Sequence, residues 1–233
     1  MNQLAESEIF ILTLVIGTYL SALFLYKKTH ISLLHPLITS IFFIICVLKG
    51  LDIKYETFHQ GSHLIHFMLG PSVVALGFVL YQQIQYLKGN VISIMTSLFV
   101  GSIVGIISVI AICKYMGADA TLIATLEPKS VTTPIAMGIA EKSGGIPSLT
   151  AVIVVAVGIF GSIVGPMVIK TLGIESRIAK GLALGASAHG IGTSVAIQIG
   201  AVEGAISGLA IGLMGIMTAI LVPIISYISS CLF

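Results

Sequence analysis

The sequence has no tryptophan, only three cysteines and very little charge. Asp, Glu, Lys and Arg make up 9% of its 233 residues, against about 25% in a soluble domain. A chain so short of charge cannot cover itself with a wetted surface. Its formal net charge of +2 is too small to mark a nucleic-acid-binding face. Cys46, Cys113 and Cys231 lie apart in apolar stretches, with neither metal-ligand spacing nor a disulfide pattern. No metal or cofactor is therefore expected. Without tryptophan, interfacial anchoring falls to Tyr, Lys and His. The first eight residues, MNQLAESE, lack the basic run of a cleaved signal peptide, so the first hydrophobic segment is expected to stay as a membrane helix.

Apolar sequence fills the space that charge leaves. Hydrophobic residues are 57% of the chain and the mean hydropathy is +1.12. At about 20 residues per spanning helix, the chain holds roughly seven or eight hydrophobic segments and no soluble catalytic domain. The expected fold is an all-α, polytopic integral membrane protein forming a single domain over 1–233, with halves at 1–117 and 118–233. Apolar segments run over Ile9–Tyr26, the short Leu33–Leu48, Leu64–Leu87 with an interruption at Gly70-Pro71-Ser72, Val91–Cys113, Leu149–Ile169 and Ala205–Tyr227, and Leu51–His63 is the most polar stretch. Glycine pairs four apart, Gly101/Gly105 and Gly161/Gly165, have the small-residue spacing of close helix packing and suggest a homodimer.

Two segments depart from this pattern. The first, Asp119–Gly145, holds Leu126-Glu127-Pro128-Lys129-Ser130-Val131-Thr132-Thr133-Pro134. A charged residue at the bilayer centre costs about 2.5–3.5 kcal/mol on insertion scales, and proline removes a backbone donor. Such a stretch is tolerated at membrane depth only against protein or a cavity. Pro128 and Pro134 bracket the break, and Pro134 suits the start of a second half-helix. Free N–H groups at that start, with Lys129 and the hydroxyls of Ser130, Thr132 and Thr133, suit a small carboxylate. Glu127 is expected to pair with Lys129 in the empty state or to carry a coupling proton. The bland reading puts Glu127 and Lys129 in a solvated loop, which the close apolar flanks oppose.

The second, Leu182–Ile199, contains Ser187-Ala188-His189-Gly190-Ile191-Gly192-Thr193-Ser194. His189 reads either as a packing residue or as a proton carrier and hydrogen-bond donor. Gly190 and Gly192 permit unwound backbone, with Gly192 the expected break, and Thr193 and Ser194 can donate to a ligand. Two interrupted segments point to a site between them near the bilayer midplane. Gly70-Pro71-Ser72 is a weaker interruption, read as a packing kink or a third break at Pro71. No sequence repeat links the halves, and no Ser–His–acid triad, metal cluster or phosphate loop is present, so no enzymatic activity is expected.

Basic residues weigh the orientation. If Asp119–Gly145 re-enters, Lys27, Lys28, Lys88, Lys170, Arg177 and Lys180 share one face and Lys49, Lys54, Lys114 and Lys142 the other. If it crosses, Lys27, Lys28, Lys88 and Lys142 stand against the remaining six. The re-entrant reading with an outside N-terminus is mildly favoured, and the reverse stays open.

Four stretches together resemble the LrgB/CidB family of bacterial inner-membrane proteins, which includes the YohK-type proteins. They are HPLITS at His35–Ser40, LGPSVVALG at Leu69–Gly77, LEPKSVTTPIAMGIAEKSGG at Leu126–Gly145 and GASAHGIGTSVA at Gly185–Ala196, and the resemblance covers almost the whole chain. It implies one of two functions. Members are described as holin/antiholin-like modulators of murein hydrolase export, autolysis and programmed cell death, beside a small LrgA/CidA-type membrane partner. The plastid glycolate/glycerate transporter resembles an LrgA-like part joined to an LrgB-like part, and bacterial relatives are implicated in moving pyruvate or other short carboxylates. A costly Glu127/Lys129 motif suits a carrier better than a lesion-forming helix, so the expectation is carboxylate transport, with antiholin-like regulation second and a structural scaffold third.

Overall fold

A computed structural model describes residues 7–29, 34, 36–83 and 89–232. His35 and Lys88, which entered the sequence reading, lie outside the described residues. The described residues are all helix and connection, with no strand. They form two compact units, Met1–Pro71 and Ser72–Phe233.

In the first unit, α1 (Glu8–Thr29) packs on α2 (Pro36–Gly50), and two short helices follow, α3 (Tyr55–Gly61) and α4 (His63–Phe67). Ile9, Ile16, Leu20 and Phe24 of α1 are exposed, as a lipid-facing side requires. Thr13 and Thr18 donate back to the carbonyls of Ile9 and Leu14 at 2.7 Å, so their hydroxyls cost little in an apolar setting. Gly61 is bare where α3 meets the fully buried Ile11. The helix α5 (Leu69–Gln83) carries Pro71 in its first turn, where a missing N–H breaks no helical bond. The interruption therefore falls before α5, at Met68, and not inside it.

The second unit takes in α5 from Ser72 onward and is otherwise built from α6 (Val91–Tyr115), α7 (Ala120–Leu126), α8 (Thr133–Lys142), α9 (Pro147–Thr171), α10 (Arg177–Ile199) and α11 (Ala201–Leu232). Among the described residues five helices are long and apolar enough to cross a membrane: α1, α6, α9, α10 and α11. The protein is an all-α, multi-pass membrane protein. Helices α6 and α11 run parallel: Ile94 and Leu98 pack with Ile206 and Leu209 at one end, and Lys114 donates to Ser229 Oγ at 2.8 Å at the other. Ile106 and Ile110 join Val131, Ala136, Ile139, Val154 and Val222 in a second apolar core.

Between α6 and α9 the chain dips in and comes back. Helices α7 and α8 have 7 and 10 residues, or about 10 and 15 Å at 1.5 Å per residue, each too short for a core of about 30 Å. Just beyond α8, the Ile146 N–H donates to Thr125 Oγ1 at 2.9 Å, and Thr150 Oγ1 donates to the Thr125 carbonyl at 2.9 Å. The exit of α8 thus lies beside α7. The segment is a re-entrant hairpin that opens on the side where α6 ends.

The helix α10 is long enough to cross but does not. His189 has φ 41° and ψ −128°, and the chain reverses there. A Cβ on Gly192 would press on the Leu184 carbonyl oxygen and lie 2.7 Å from Ala188 Cβ. Gly181 from the first arm lies against Ile206, and Gly204 lies against Ile197 from the second, so both arms meet the first turns of α11. This is a second re-entrant hairpin, opening on the side where α9 ends. The break falls at His189, while Gly192 is the small residue that lets the two arms touch.

The two hairpins are an inverted pair. The N-caps Asp119 and Ser176 each accept an N–H three residues on, and the second arms begin after Thr132 and His189 and end at Ser143 and Gly200. Asp119 and Ser176, Ser130 and Ser187, Thr132 and His189, and Ser143 and Gly200 all share one offset of 57 residues. Each hairpin is followed by a spanning helix, α9 or α11, running in the opposite sense. Lys114 and Lys142 lie on the first hairpin's side, and Lys170, Arg177 and Lys180 on the second's.

Candidate functional site

The tips of the two hairpins reach mid-length of α6 and α9, where they face one cavity. Ser130 of the first and Ser187 of the second line one cavity of about 560 Å³ with Gly101, Gly105, Val157 and Gly161. The glycine pair of α9 is used inside the chain: Cβ atoms on Gly161 and Gly165 would lie 2.7 Å from Ala188 and 2.8 Å from Leu184.

At the first tip, Pro128 is fully buried and Lys129 half-buried, its Nζ donating to Ser130 Oγ at 3.2 Å. Thr132 caps α8 without a side-chain bond, and Pro134 sits in the first turn. The first N–H used within α8 is that of Ala136, to the Thr132 carbonyl. The N–H groups of Thr133 and Ile135 therefore stand at the tip without a helical acceptor, beside a cation. That is an anion-binding arrangement.

Glu127 does not pair with Lys129. Its carboxylate is 3% exposed and accepts from Ser226 Oγ at 2.8 and 2.7 Å. It faces a separate cavity of about 530 Å³ that also holds Lys114, Ser143, Ser226 and Ser229. The physical reason is the tight turn after α7: with Glu127 still helical (φ −51°, ψ −47°), its side chain points to α11 while Lys129 continues to the tip.

At the second tip, His189 is buried, its Nε2 2.9 Å from the Val154 carbonyl oxygen and its ring laid on the bare backbone of Gly158. That contact puts the proton on Nε2 and leaves Nδ1 as the nitrogen able to accept one. A positive φ on a non-glycine residue costs of order 1–3 kcal/mol, which these contacts offset. Gly190 starts the second arm. Thr193 Oγ1 donates to the His189 carbonyl at 3.0 Å and lies 2.7 Å from Ser207 Oγ, so it locks the tip to α11. Ser194 donates to the Gly190 carbonyl at 3.3 Å and is exposed.

Sequence reasoning missed the groups that α11 supplies. Ser207 and Ser226 fix the two hairpins, and Thr218 is 2% exposed with its hydroxyl unpartnered. Gly215 touches Ile135 and Val222 packs with Val131 and Ala136; positions 215, 218 and 222 share one helical face. Thr218 therefore faces the start of α8. Spread along an apolar helix, these hydroxyls form no motif. Replacing Thr218 by valine is expected to stabilise the empty protein by about 1 kcal/mol, because an unsatisfied buried hydroxyl is removed, while weakening any ligand held at the tip. Thermal melting with and without ligand checks both effects.

The profile of the LrgB-like family matches residues 15–228. The chain belongs to the LrgB family. Relatives in the family include YwbG of Bacillus subtilis (strain 168), 38% identical over 212 residues, which cover 91% of this chain and 94% of that protein. YxaC of the same organism is 34% identical over 226 residues, or 97% and 98% of the two chains. The antiholin-like protein LrgB of Bacillus cereus (strain B4264) is 34% identical over 188 residues, 81% and 82% of the two. No solved structure matches this LrgB-family chain.

Proposed function

We propose that this protein is a carrier, not an enzyme, that moves small carboxylates of the glycolate, glycerate or pyruvate kind across the bacterial cytoplasmic membrane. The observation that supports it is the pair of opposed hairpins, each starting a half-helix at its tip, with Lys129 beside the shared cavity. Half-helix N-termini turned inward attract an anion, and Lys129 adds a full charge. Ser130, Thr132, Thr133 and Gly190 contribute donors to the ligand's oxygens, with Thr193 and Ser194 shaping the second tip. His189 and Glu127 are the coupling groups. Hairpins opening on opposite sides suit alternating access. We take the working form to be a homodimer, with an LrgA/CidA-type protein as a further partner.

Reconstituted protein, alone and with an LrgA-type partner, is expected to take up labelled glycolate or pyruvate faster than empty vesicles. No movement of glycolate, glycerate, pyruvate or lactate in either preparation sinks the reading. Glu127→Gln is expected to abolish accumulation driven by a pH gradient while sparing downhill exchange; equal loss of both assigns Glu127 to binding or folding.

The description of the B. cereus relative as antiholin-like supports a second reading, control of murein hydrolase export and autolysis. Metabolite flux links the two if transport-dead variants also lose the autolysis phenotype. A scaffold role predicts instead that Lys129→Ala leaves that phenotype intact.

A further inference from the structure

The cavity between the hairpin tips has a composition that narrows the ligand. Its polar end is Ser130, carrying the Lys129 ammonium at 3.2 Å, with Ser187 contributed by the opposite hairpin. Elsewhere the lining is apolar, with Val104, Val157, Phe160 and Val164 prominent. At about 560 Å³ it far exceeds the needs of a two- or three-carbon acid. Gly101 and Gly105 keep it wide: a Cβ on either meets nothing within 4 Å.

We infer that the site takes a monocarboxylate with an aliphatic body, its carboxylate held by Lys129 and Ser130 and its chain lying along Val104, Val157 and Val164. This rests on the carboxylate reading above and narrows it, away from hydroxy acids such as glycerate and toward aliphatic ones. One cation balances one carboxylate, so a second charge on the ligand would lie unpaired against an apolar wall. Hydroxyls on the ligand's body would meet side chains that cannot bond to them. Aliphatic carbons instead leave water for an apolar wall. Ser187, the counterpart of Ser130 in the inverted pair, lines the cavity but donates its hydroxyl to the Ala183 carbonyl at 2.6 Å.

The test is binding of acetate, propionate, butyrate, valerate, glycolate and glycerate to the full chain, read as concentration-dependent thermal stabilisation. Affinity is expected to rise about 4-fold per added methylene and to be weakest for glycerate. Gly105→Leu, whose side chain enters the open space, is expected to bring the valerate-to-acetate ratio down to about one. A flat series, or glycerate bound more tightly than butyrate, overturns the inference; if Lys129→Ala still abolishes that binding, the carboxylate reading stands without it. A slope retained in Gly105→Leu places the chains elsewhere and overturns the site. Binding of none of the acids removes both readings together.

Discussion

Replacing Lys129 by alanine is expected to weaken carboxylate binding about 10- to 150-fold, because a charge-assisted hydrogen bond is worth about 1.5–3 kcal/mol. Lys129 reaches Ser130 and not the nearby Glu127, whose carboxylate is held by Ser226. A half-buried ammonium bonded to one hydroxyl contributes little to folding. The empty variant should therefore melt no lower than wild type, which separates a lost ligand contact from a damaged fold. Arginine at the same position keeps the charge but brings a larger planar group, and it should recover part of the affinity. Titrating pyruvate or butyrate against the melting temperature of each variant checks all three statements. Identical ligand-induced shifts in wild type and Lys129→Ala would take the residue out of the site.

The second large effect concerns the reversal at His189. Gly192→Ala is expected to destabilise the protein by about 3 kcal/mol, the upper end of overpacking costs. The added carbon would meet the Leu184 carbonyl oxygen and Ala188, and a backbone obstacle cannot swing away. Gly190→Ala is the control: two residues away, its Cβ would meet nothing within 4 Å, and it should fold normally. Thermal melting in detergent and the yield of monodisperse protein distinguish them. If both variants fold alike, the arms of α10 are not packed as described, and the inverted pairing of the hairpins goes with them.

These two residues also separate what could be read in advance from what could not. Around Lys129 the signals are local: two prolines remove helical donors, and the charges cannot lie in lipid. The break, its proline-led second arm and its hydroxyls were legible for that reason. The expected Glu127–Lys129 pair was not realised, because which way a side chain leaves a turn depends on the neighbour it finds, and Ser226 lies far along the chain. The second hairpin was legible only as an interruption. Arg177–Ile199 has the length and apolarity of a spanning helix, and no proline marks where it turns. Its reversal depends on Gly181 and Gly185 meeting α11 and on Gly192 meeting Leu184, contacts absent from any local pattern.

The sequence by itself determined the solvent and the chemistry of this protein. Nine per cent charge requires a bilayer, and a lysine with hydroxyls between two prolines requires a sheltered polar site. The tertiary structure alone decided that two stretches turn back from opposite sides and face one cavity. In the inverted pair the marked positions differ in residue type except for Ser130 and Ser187. What the halves share is backbone geometry, imposed by the α9 and α11 helices against which each hairpin closes.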